Sequence, residues 1–127
     1  MTPYGIELQA YKEQAITTMT SGEMLILLYD EIIKRLRKAE ILANNSDYKN
    51  FESELKKAQE IVSYLNMALD RKYEVSGGLA QLYEYFNYQL VRLVAGRNLS
   101  IIGELIPLIE ELRETYRQAD KLSKKQG

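Results

Sequence analysis

Residues 51–69 read FESELKKAQEIVSYLNMAL, and within them Phe51, Leu55, Ala58, Val62, Leu65 and Leu69 form one apolar series. The steps along it alternate between four and three, the spacing that keeps side chains on one face of an α-helix. It is also the seam by which a bundle helix packs on its neighbours. A strand would need apolar residues at every second position between turn signals, and this chain has no such stretch.

The same period recurs on both sides of this stretch. Upstream, Leu25, Leu28, Ile32, Leu36 and Ala39 line one helical face, opened by the capping-box sequence Thr20-Ser21-Gly22-Glu23. Asn44-Asn45-Ser46-Asp47 closes that helix and supplies caps for the next. Downstream, Ser76-Gly77-Gly78 reads as a break, followed by the stripe Leu79, Leu82, Phe86, Leu90 and Leu93. Gly96-Arg97-Asn98 ends that helix, with Gly or Asn available for a left-handed cap. The last stripe is Ile101, Leu105, Leu108, Leu112, Tyr116 and Ala119. Pro107 lies inside it, and the carbonyl its ring would meet belongs to Gly103, so a local kink is expected there.

Four amphipathic helices joined by short loops predict an all-α protein, an antiparallel up-down four-helix bundle in one domain spanning 1–127. The bundle is expected over 20–122, with a tail at 123–127. Residues 4–16 add a short, weakly amphipathic element through Ile6, Leu8, Tyr11 and Ala15, which either packs outside the bundle or hangs free.

Composition removes most chemistry. With 17 basic and 18 acidic residues the net charge is −1, which gives no electrostatic reason to expect nucleic acid. Lys121, Lys124 and Lys125 read as a solvated helix end favoured by the helix dipole. The longest apolar run, Met24-Leu25-Ile26-Leu27-Leu28-Tyr29, falls far short of the ~20 residues that span a bilayer. The first residues lack the basic start and apolar core of a signal peptide. The absence of cysteine is compatible with the cytoplasm.

Histidine, cysteine and tryptophan are all absent, which excludes Cys/His nucleophile pairs, histidine acid–base work and most transition-metal sites. Gly77-Gly78 lacks the lysine and spacing of a phosphate loop, and Glu110-Glu111 reads as a solvated face. No catalytic, cofactor-binding or metal residues are expected. The protein reads as a non-enzymatic module that holds another polypeptide.

The unusual feature is tyrosine: ten of them beside two phenylalanines. Tyr83 flanks its core stripe and Tyr116 lies in the last seam. Tyr85 and Tyr88 point away from Leu82, Phe86 and Leu90, toward Gln81 and Arg92. In the first long helix Ile26, Tyr29 and Ile33 form a second apolar stripe beside the first, with Leu27 facing elsewhere. Two readings stand side by side. These surplus groups lie at the bundle margin or under the N-terminal segment, or they line a groove for a partner.

The ordered set Ala10-Tyr11-Lys12, Thr20 through Asp30, Lys57-Ala58-Gln59-Glu60-Ile61, Gly77-Gly78 with Leu82-Tyr83-Glu84-Tyr85, and Leu112-Arg113-Glu114-Thr115-Tyr116 resembles the flagellar secretion chaperones of the FliS family. The resemblance implies a four-helix bundle with a short N-terminal cap helix at 1–19. It also implies a cytoplasmic chaperone that binds the C-terminal region of flagellin, prevents premature polymerisation and assists delivery to the flagellar type III export apparatus. The export gate is then a further partner, reached through the chaperone–flagellin complex.

Carried onto this chain, the resemblance points to Tyr11, Leu28, Tyr29, Asp30, Leu82, Tyr83 and Tyr85. The surplus apolar positions add Ile26, Ile33 and Tyr88 to the expected cap or flagellin groove. Glu31, Tyr116 and the Gly103…Pro107 pair depart from the family's usual glycine, tryptophan and last-helix opening. The alternative is a self-associating or signalling bundle whose Tyr85 face meets its own copy, so the expected state is a monomer or a weak homodimer.

Overall fold

The computed structural model describes residues 21–126, and these form four helices with no strand among them. Helix α1 is Ser21–Asn44, α2 is Tyr48–Met67, α3 is Val75–Gly96 and α4 is Ser100–Gln126. They make the antiparallel up-down bundle that the four stripes predict. Helix α1 packs along both α2 and α4, α2 also packs along α3, and α3 meets α4 only sparsely. Residues 1–20, which carry the expected cap segment and Tyr11, lie outside the described residues. No helix among the described residues is long and apolar enough to cross a membrane.

The α2 seam is buried as its spacing requires: Phe51, Leu55, Ala58, Val62 and Leu65 all face the core. Burying each of the four larger side chains contributes about 1.5–3 kcal/mol, and Ala58 adds less. Glu54 is the polar exception on this face. Its carboxylate takes a 2.9 Å hydrogen bond from Arg35 of α1, with Lys38 at 3.5 Å and Lys57 at 3.9 Å. Burial alone would raise its pKa. The Arg35 bond and the neighbouring cations outweigh that and hold it below the ordinary carboxylate value.

The α1–α2 turn follows the expected chemistry. Ser46 takes a left-handed φ of 59°, and Asp47 caps α2 by accepting from the Asn50 N–H at 3.3 Å.

The next turn differs from expectation. Gly77 and Gly78 do not break the chain but lie inside the first turns of α3, and neither has a positive φ. The break falls earlier, between Met67 and Val75. Asp70 organises it: its side chain accepts from the Lys72 N–H at 3.1 Å, and its carbonyl accepts from Ser76 Oγ and from the Tyr73 N–H. Side-chain hydrogen bonding of this kind can set a turn without glycine.

The left-handed residue that ends α3 is Arg97, at φ 54° and ψ 30°, rather than Gly96 or Asn98. An L-residue there is disfavoured, and two contacts offset the cost. The Arg97 N–H donates to the Leu93 carbonyl, and its guanidinium sits 3.7 Å from the centroid of the Tyr48 ring. Arg97 thereby ties the end of α3 to the start of α2.

The last stripe also shifts. In α4 the buried face is Ile101, Ile102, Leu105 and Ile109, continued by half-buried Leu112 and Tyr116, while Leu108 and Ala119 are exposed. Apolar residues surround the start of α4 on several sides, so periodicity alone could not choose among them. Helix α4 continues through Pro107 as one helix.

Candidate functional site

The second stripe of α1 turns inward instead of outward. Tyr29 and Ile33, expected in a partner groove, are core residues, and so is Tyr83 of α3. The reason is polar. The hydroxyls of Tyr29 and Tyr83 meet across the bundle at 2.6 Å, and that bond lets two phenols be buried without an unpaired oxygen. The Tyr116 ring of α4 lies 5.8 Å from that of Tyr29, bringing a third tyrosine to the same place.

Burial pushes all three hydroxyls above the usual tyrosine range. At Tyr29 the bond to Tyr83 reinforces the effect, and at Tyr83 the same bond works against it. Tyr29 and Tyr83 are fully buried in the bundle, while Tyr116 stays half-buried.

Asp30 is half-buried and bound within the chain. It accepts a 2.7 Å hydrogen bond from Arg113 of α4, and Arg113 also lies 3.8 Å from Glu110. Ile26 and Leu28 are half-buried, Leu28 packing against the core.

One open area lies on α3 and between α3 and α4. Leu82, half-buried, joins Leu108, Leu112, Glu111 and Thr115 in lining a cavity of about 220 Å³ where these two helices fail to close. On another face of α3, Tyr85 and Tyr88 are exposed, as their position on the helix predicts. The Tyr85 hydroxyl accepts from Gln89 Nε2 at 3.1 Å, and the Arg92 guanidinium stands 5.9 Å from the Tyr88 ring centroid. Exposed Val91 completes this face.

Leu108 and Val91 were not among the expected site residues. Leu108 had been placed in the core stripe, and Val91 carries no signal apart from its angle on the helix. Among the described residues no cluster of three or more metal-ligating side chains is present. The cleft is lined mainly by leucines, and the exposed tyrosines of α3 each combine a large contact area with a polar tip.

Fold and surface together define a small helical bundle that packs closely along α1 and leaves a leucine-lined cavity between α3 and α4. A family model described as flagellar protein FliS matches residues 5–123. The flagellar secretion chaperone FliS of Bacillus subtilis (strain 168) is 28% identical over 116 residues, 91% of this chain and 87% of that protein. A solved structure described as a flagellar chaperone from bacteria shares the fold, with a TM-score of 0.78 and 23% identity over 94% of this chain and 98% of the other. The chain belongs to the FliS family of flagellar secretion chaperones.

Proposed function

We propose that this protein is a cytoplasmic, non-enzymatic chaperone that binds the C-terminal region of flagellin, keeps it from polymerising prematurely and assists its delivery to the flagellar type III export apparatus. Membership of the flagellar chaperone family carries this reading. The open side of the bundle supports a location for it. An export substrate held unassembled must keep apolar segments out of water, and a preformed apolar cleft offers them a substitute surface. Leu82, Leu108 and Leu112 provide the cleft, and Tyr85 and Tyr88 add exposed aromatic surface on another face of α3. Ile26 and Leu28 contribute at most the part of their surface that packing leaves free. Tyr29, Ile33 and Tyr83 hold the helices in place beneath.

The test is titration calorimetry with a peptide from the flagellin C-terminus, with complex mass measured by light scattering. A one-to-one complex is expected, weakened about ten-fold or more by Leu82→Asp, which puts a charge in the cleft. Absence of binding to the parent protein would overturn the flagellin reading. Full binding by a folded Leu82→Asp variant would move the site elsewhere on the bundle.

A further inference from the structure

Helix α4 sorts its glutamates between its two sides. Glu110 lies 3.7 Å from Arg37 and 3.8 Å from Arg113, and Glu114 lies 3.4 Å from Arg117. Glu104 and Glu111 are exposed, and neither carboxylate has a hydrogen-bond or ion-pair partner among the described residues. These two share one stripe of the helix with Leu108 and Thr115, at steps of four, three and four. Glu111 is the charged member of the lining of the cavity between α3 and α4, beside Leu82, Leu108 and Leu112. Thr115, the other polar member, donates its hydroxyl to the Glu111 carbonyl at 2.9 Å. Glu104 precedes Leu108 by about one turn, so Leu108 stands between two carboxylates.

No base answers them from the walls of the cleft. Arg113 turns to Asp30 of α1 at 2.7 Å, and Arg117 stays with Glu114. The one basic residue of α3 is Arg92, which lies ten positions beyond Leu82 and donates to Gln89 Oε1 at 2.8 Å. The cleft therefore combines an apolar floor with an uncompensated negative edge.

We propose that Glu111, assisted by Glu104, makes this cleft selective for a polypeptide segment whose apolar side chains are flanked by lysine or arginine. The proposal rests on reading the cleft as the place where the chaperone holds its partner. The leucines alone cannot discriminate, since they attract any apolar side chain. A cavity of about 220 Å³ is smaller than the ~300–1,000 Å³ of small-molecule pockets, so it takes one or two side chains of a segment that continues over the surface. That segment passes the carboxylate as it leaves the cleft. A base at this point gains an ion pair, whereas an acid meets like charge, and the second effect rejects wrong partners. Glu104 and Glu111 are seven residues apart, about 10 Å along the helix. A partner helix with two bases seven residues apart and an apolar side chain between them matches Glu104, Leu108 and Glu111 together.

The experiment uses two synthetic helical peptides with the same leucines. One carries lysines seven residues apart around a central leucine, and the other carries glutamates in their place. Each is titrated by calorimetry into the full chain at low and high salt. The parent is expected to bind the lysine peptide about ten-fold more tightly, with a narrower gap at high salt. Glu111→Gln should close most of the gap, and the double variant Glu104→Lys, Glu111→Lys should reverse it. Glu40→Lys, at an exposed carboxylate of α1, should leave the gap as it is. All three positions are exposed, so the circular dichroism spectra should be unchanged. A preference that survives in the double variant, or that Glu40→Lys shifts as strongly, would overturn the proposal. So would a parent that binds neither peptide, or both equally. A flagellin C-terminal peptide is titrated in the same series. If it fails to bind while the lysine peptide keeps its Glu111-dependent preference, the flagellin reading falls and the selectivity of the cleft stands.

Discussion

Helix α4 treats its two neighbours differently. Toward α1 it is closed by directional contacts: Arg113 to Asp30 at 2.7 Å, Arg37 to Glu110 at 3.7 Å, and the Tyr116 ring against Tyr29. Near the start of α1, Gly22 lies so close to Asp120 that a Cβ there would sit 2.6 Å from Oδ1. Toward α3 the contacts are few, and leucines line a cavity instead. One helix thus fixes itself to the bundle with one face and leaves apolar surface unfilled on another. An interior that closed equally well on all sides would hold nothing else. Concentrating the specific pairings on the α1 side lets the α3 side remain open without loss of a defined fold.

The sharpest way to break this contrast uses two leucines of α4 three positions apart. Leu105 is fully buried and Leu108 is 37% exposed. Leu105→Ala opens a cavity in packed core and should destabilise by about 2–5 kcal/mol. Leu108→Ala should stay within about 1 kcal/mol of the parent, as surface changes do, while weakening the binding of a flagellin peptide. Urea denaturation gives both values. Equal costs would show that α4 is not divided between a closed and an open side.

A smaller effect comes from the link that crosses the closed interior, Tyr29 to Tyr83. Tyr29→Phe or Tyr83→Phe strands one buried hydroxyl and should cost about 1–2 kcal/mol, whereas the double variant removes both groups and should cost less than the sum. The pH dependence has a definite sign. Both hydroxyls titrate above the ordinary tyrosine value in the folded protein. The folded state therefore keeps its proton where the unfolded chain has begun to lose it. This contribution is full below pH about 10 and is lost as pH rises from there through the folded values. Stability measured from about pH 9 to 11 should fall for the parent and less steeply for the double phenylalanine variant. Additive single costs and an unchanged slope would remove the pair from the account.

These cases also show what could be seen in advance. The α2 seam was legible because a four-three series leaves one solution, and all five of its in-helix positions from Phe51 to Leu65 are buried. Tyr85 and Tyr88 were legible for the same reason, each being placed by its angle on a regular helix. Tyr29 and Tyr83 were not, because each is a polar residue that enters the core only with the other, and 54 residues separate them. Leu108 was misplaced because α4 opens with apolar residues on several faces. Only the packing of α1 decides which of them turn inward. Arg97 in a left-handed backbone was hidden too, since the ring that favours it belongs to Tyr48, on another helix.

The smallest expected effect lies at the start of α3, on the open side of the molecule. Gly77 and Gly78 are helical and exposed, and a Cβ built on either meets nothing within 4 Å. Neither uses the positive φ that would require glycine. Each should therefore accept alanine, which restricts the unfolded chain and favours helix, for a gain of about 0.5–1 kcal/mol. Thermal unfolding of Gly77→Ala and Gly78→Ala, singly and together, should show small, roughly additive rises in Tm. Binding of the flagellin peptide by the same variants sharpens the contrast between the two sides. If stability rises and binding holds, the double glycine is outside the contact surface. If stability rises and binding falls, the exposed backbone at the start of α3 is part of what a partner touches, and the open side extends from the Leu82 cleft to the end of the helix. A fall in stability would contradict the helical geometry itself, because an added methyl group in open space has nothing to clash with.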